Sequence, residues 1–215
     1  MSEGKALIKI DDQPLVKHDA SAFEAATQGG DYLPRLQLMT ANTDKCKSGE
    51  FPINTWALVR DQKFTDLGKN VDVIIVTWRP KALEIGDELI SRYDPNHDEF
   101  KRIQAKSFEQ DSGCMFGPEY LVWIPSISQF ATFFMGSKSA RREAPNVQAL
   151  LTMGATLTSK EAKNAKYTWY TPSVTACSTS LDPPDQDELN RQVEKFNNPA
   201  ETEVERVDTA NTRDR

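Results

Sequence analysis

The sequence predicts a mainly β fold with added helices, an OB-like five-stranded barrel carrying an extra C-terminal helix and strand. Three observations point there. Three strand-type segments come early in the chain, a single long helical stripe follows them, and two further strand segments come next. That order, with the helix between strands three and four, is the layout of an OB barrel, although a generic α+β sheet produces the same string.

The elements follow in order. Residues 1–30 read as an N-terminal arm and a short helix. Ala6 to Ile10 is a candidate covering strand, and Asp19 caps a helix that runs to Thr27 and stops at Gly29 and Gly30. In Leu33 to Thr40, Leu36 and Leu38 share one face, with Arg35, Gln37 and Met39 on the other. Ile53 to Arg60 alternates around Trp56 and Leu58. Val71 to Trp78 is a nearly unbroken β-branched run, the pattern of a central strand buried on both faces. Asn96 to Gln110 is the helical stripe, with Phe100, Ile103 and Phe108 inward and Asn96 or Asp98 as cap. Tyr120 to Ile124 and Gln129 to Met135 are the fourth and fifth strands. Pro145 then suits the first turn of a helix that buries Val147, Leu150 and Leu151 and ends at Gly154. Lys166 to Cys177 alternates as a last strand, weakened by Pro172. Pro184 opens a short helix with Leu189, Val193 and Phe196 spaced i, i+4 and i+7, and disorder is expected beyond it.

The 215 residues therefore divide into an arm (1–30), one core domain (31–180) and a tail (181–215). Charge follows the same division. The chain carries a formal charge of −6, yet ten acidic residues against five basic ones lie between Leu181 and Arg215, which leaves the body almost neutral. Three cysteines, Cys46, Cys114 and Cys177, are too widely spaced for a zinc knuckle and odd in number. They suit a reducing compartment. With no secretory leader and no apolar run of membrane length, the expectation is a soluble protein in the cytoplasm, or the host cytoplasm if viral, with no membrane partner.

Against this neutral body, Phe130 to Val174 stands out. It carries Lys138, Arg141, Arg142, Lys160, Lys163 and Lys166 against only Glu143 and Glu161, flanked by strands that hold Phe133, Tyr167, Trp169 and Tyr170. Cations track a phosphate backbone and flat rings stack on unpaired bases, the two requirements of a single-stranded nucleic-acid groove. Pairing of strand 130–135 with strand 166–171 would bring the rings together. Trp78, Arg79 and Lys81, at the end of the central strand, are expected at the groove rim.

In strand order, basic-aromatic stretch and acidic tail, the chain resembles bacteriophage-type single-stranded DNA-binding proteins. The resemblance covers most of the chain at the level of layout. It implies binding of single-stranded DNA without sequence preference in replication or recombination, no catalysis, no cofactor, and recruitment of replication proteins through the tail. The tail ends Thr212-Arg213-Asp214-Arg215 where such tails end in a hydrophobic residue, with Phe196 as the substitute anchor.

Two other classes remain open. One is a protein-interaction or assembly module that uses the aromatic segment as a protein interface. The other is a metal-dependent nuclease built on Asp94, His97 and Asp98, residues that a turn and a helix cap also explain. Gly136-Ser137-Lys138-Ser139 lacks the spacing of a phosphate loop and reads as a turn.

Overall fold

The computed structural model describes residues 33–198, except 62, 87, 88, 110, 111, 164, 166 and 167. The expected arm and short helix of residues 1–30, and the acidic segment beyond Asn198, lie outside the described residues.

The fold is mainly β, a mixed sheet curled into a half-barrel. It has nine strands among the described residues, so it is not a five-stranded OB barrel. These are β1 (Arg35–Met39), β2 (Thr55–Arg60), β3 (Lys63–Gly68), β4 (Val71–Ile85), β5 (Leu89–Arg92), β6 (Cys114–Ile124), β7 (Gln129–Phe134), β8 (Gly154–Lys163) and β9 (Thr168–Ala176). Helices α1 (Asp44–Lys47), α2 (Asp98–Lys106), α3 (Lys138–Arg141), α4 (Ala144–Gln148) and α5 (Gln186–Asn197) punctuate them. The spatial order is β3-β2-β1-β7-β6-β4-β8-β9, with β5 beside the far half of β4. All pairs are antiparallel except β1 with β7. The curl brings β8 beside the start of β2, where the Ser159 hydroxyl donates to the Asn54 side chain.

Several expectations change. The helix follows five strands rather than three, and β7 pairs with β6 and β1, whereas β9 pairs only with β8. The expected pairing of 130–135 with 166–171 does not form. The central strand does not stop at Trp78 but continues through Pro80 to Ile85. Pro80 lies opposite Pro118 of β6. The carbonyl of Pro118 accepts the Met135 amide on the β7 side at 3.0 Å. An antiparallel residue turns both of its polar backbone groups to one side, so the two prolines form a non-hydrogen-bonded pair and neither deprives the β4–β6 ladder of a donor. Gly154 opens β8 instead of capping the preceding helix; the left-handed residue there is Thr152, at φ 62°.

The main core gathers Trp56, Val73, Ile75, Tyr120, Phe133 and Leu157 inside the curl, closed by Ala140 of α3 and Val147 of α4. A second core lies under α2, where Phe100 and Ile103 pack on Ala82 and Cys114. Met39 is fully buried with Ala57 and Val59 in a third cluster, so β1 is covered on both faces. On the outer face Phe196 of α5, 1% exposed, packs on Leu121 and Phe130. Asp185 caps α5 by accepting the Asp187 and Glu188 amides, a contact that holds an exposed helix terminus. The first half of the tail is thus part of the packed body. No helix among the described residues is long and apolar enough to cross a membrane.

Candidate nucleic-acid interface

Glu119, which no pattern in the sequence marks, is the most deeply enclosed charge among the described residues. It is 1% exposed on the outer face of β6. Opposite it on β4, Arg79 donates through Nε at 2.8 Å and Lys81 through Nζ at 2.7 Å, one to each carboxylate oxygen. The Arg79 guanidinium is also sandwiched between the Tyr93 and Phe196 rings, 3.7 and 4.2 Å from their centroids, and donates to the Phe196 carbonyl. Burial raises the Glu119 carboxyl, but the Lys81 and Arg79 charges outweigh it and hold the group below the ordinary carboxylate range. Burial likewise opposes the charge on Lys81, and Glu119 more than restores it, leaving its pKa raised. Arg79 therefore ties the sheet to α5, Lys81 is spent on Glu119, and neither is displayed on a rim.

Arg141 is also committed inward. Where β7 leaves the sheet, the edge of β6 is bare, and Arg141 fills the gap by donating to the carbonyls of Phe116 at 2.8 Å and Gly136 at 2.5 Å. Its guanidinium lies 4.3 Å from the Phe116 ring centroid. The turn that delivers it is tightly specified. A Cβ on Gly136 would come within 2.4 Å of the Phe134 ring, and the Ser137 hydroxyl accepts the Ala140 amide to start α3. Phe133 is 3% exposed and packs on Trp56 and Tyr120, with centroids at 5.5 and 6.3 Å; the core occupies its ring.

The remaining candidates face water. Lys138 and Arg142 are exposed at the two ends of α3, and neither side chain has a hydrogen-bond or ion-pair partner among the described residues. Lys160 and Lys163 lie on strand β8 rather than on a helical connection. Lys160 is paired with Glu143, whose carboxyl is held low chiefly by that hydrogen bond, and Lys163 lies 3.3 Å from Glu161. Helices α3 and α4 pack against β9, so the basic helix and the β8–β9 ribbon are neighbours. Ribbon register sorts the rings. Trp169 lies opposite Ala162, on the face of Lys160, and Tyr170 lies opposite Glu161, on the face of Lys163. Both rings are partly exposed. Trp78 is 43% exposed on the inner face of β4, opposite Tyr120. Lys166 and Tyr167 lie outside the described residues.

The alternative metal residues have local duties. The Asp94 carboxylate accepts the Asn96 amide at 2.8 Å, and His97 Nδ1 accepts the Glu99 amide at 3.2 Å as the cap of α2. Among the described residues no group of three or more His, Cys, Asp or Glu is placed to hold a metal ion.

No protein-family model, no characterised protein sequence and no solved structure matches this chain.

Phe108, assigned to the inward stripe of α2, lies beyond the end of that helix and is 70% exposed. Periodicity alone does not reveal this, because Phe108 falls eight residues after Phe100 and fits the stripe, while the helix ends at Lys106.

Proposed function

We propose that this chain binds single-stranded DNA without sequence preference, on the surface formed by α3 and the β8–β9 ribbon, and that it catalyses no reaction. The observation that carries this reading is the pair Lys138 and Arg142. They are two uncommitted cations at the ends of a helix packed against a ribbon that displays Lys160 with Trp169 on one face and Lys163 with Tyr170 on the other, in a chain of net charge −6. A strand laid from the helix along one of these faces meets cations at its phosphates and a ring beside its bases. The role consistent with such binding is to protect or organise single strands during replication or recombination.

The test is titration with oligo-dT, followed by tryptophan fluorescence at several salt concentrations. Each phosphate neutralised on a single strand contributes about 0.7 to the slope of log K against log salt. The double variant Lys138→Glu, Arg142→Glu is expected to bind more weakly and to lower the slope by about 1.4, while Lys63→Glu on strand β3, which is not part of the proposed surface, leaves both unchanged. Equal binding by the double variant and the wild type refutes this surface. Absence of binding by the wild type refutes the function and favours the interaction-module reading.

A further inference from the structure

Phe108 is the most exposed large apolar side chain among the described residues. A single exposed ring needs no explanation, but this one is supported from below and joined to the basic helix. It leans on Phe116 with centroids 5.5 Å apart and planes at 58°. Arg141, fixed by two backbone carbonyls, reaches over Phe116 and lies 5.9 Å from the Phe108 centroid. The residue that anchors α3, and with it Lys138 and Arg142, therefore also positions Phe108. From Phe116 the same sheet face continues through the Pro118–Pro80 pair to the exposed Trp78 opposite Tyr120. That strip covers four residue steps of β6, roughly 13 Å at strand rise, and it runs from the core under α2 to the main core.

We propose that Phe108 is a base-stacking residue, and that the bound strand continues from α3 across β6 toward Trp78. This rests on the nucleic-acid reading above. The cations at α3 would hold phosphates, and a pinned ring with one open face would take a base beside them.

The experiment compares wild type, Phe108→Ala and Phe108→Tyr on oligo-dT and on an abasic deoxyribose-phosphate oligomer of equal length. Stacking of one base predicts that Phe108→Ala weakens oligo-dT binding by roughly 5- to 150-fold. Binding to the abasic oligomer and the salt slope stay unchanged, and Phe108→Tyr restores the wild-type affinity. If the alanine variant binds oligo-dT as tightly as wild type, or loses the abasic oligomer in the same proportion, Phe108 does not stack and the α3 surface stands without it. If the wild type binds neither oligomer, both readings fall.

Discussion

Replacing Glu119 with glutamine removes one charge and almost no volume, so its effect on stability isolates what the carboxylate does for its two partners. The side chains of Arg79 and Lys81 are only 12% and 11% exposed, and Glu119 itself 2%. Without the carboxylate, two cations remain enclosed with no counter-charge, a situation that costs about 3–5 kcal/mol. At about 2–4 °C per kcal/mol for a domain of this size, the melting temperature should fall by roughly 6–20 °C. Urea unfolding at a series of pH values is the assay. Because the folded Glu119 pKa is depressed, its stabilisation is present above the unfolded value of about 4.3 and is lost as pH falls through the folded value. The Lys81 pKa is raised, so its contribution is complete below about pH 10.4 and is lost as pH rises through the folded value. The gap between wild type and Glu119→Gln should therefore be flat across neutral pH and close toward acid. The triple variant Arg79→Met, Lys81→Met, Glu119→Leu, which leaves no unpaired charge, should be more stable than Glu119→Gln. A glutamine variant within about 1 kcal/mol of wild type at pH 7, or a gap that does not shrink in acid, would refute the reasoning.

Two further outcomes are expected. Phe196→Ala removes the ring that packs on Leu121, Phe130 and the Arg79 guanidinium, and should cost about 3–5 kcal/mol in urea unfolding while speeding proteolysis near Asp182; unchanged cleavage would show that α5 is held by other contacts. Alkylation should proceed at Cys177 first, since the Thr179 hydroxyl lowers its pKa, and last at Cys114, whose thiol is raised by burial and then by Glu84; mass spectrometry of partially labelled protein gives the order, and early labelling of Cys114 would contradict it.

The elements legible in the sequence were those whose own residues carry the pattern. Val71–Ile75 announced itself by β-branched density, β2 by its alternation around Trp56, and α5 by Leu189, Val193 and Phe196. β3 and β8 were not visible, because Lys63–Gly68 lies at the sheet edge and Gly154–Lys163 buries only Ala155 and Leu157 before turning polar. Pairing was misjudged where it depends on a partner far along the chain, as when β7 takes β6 and β1 in place of β9. The candidate site failed in the same way. Arg79 and Lys81 read as free cations until the fold brings Glu119, some forty residues away, between them. Lys138 and Arg142 stay exposed because α3 is too short to bury both ends.

The opposed prolines also bear on what the molecule must avoid. Between the stretch of β4 that pairs with β8 and the stretch that pairs with β5, no strand among the described residues covers that side of β4. An uncovered side of a long, apolar strand is a template on which another chain can add itself. Pro80 turns its nitrogen to that side and has no hydrogen to offer. The same residue that fits silently into the ladder with β6 therefore denies an incoming strand a donor near the β5 end of the gap, which disfavours the addition of a strand there.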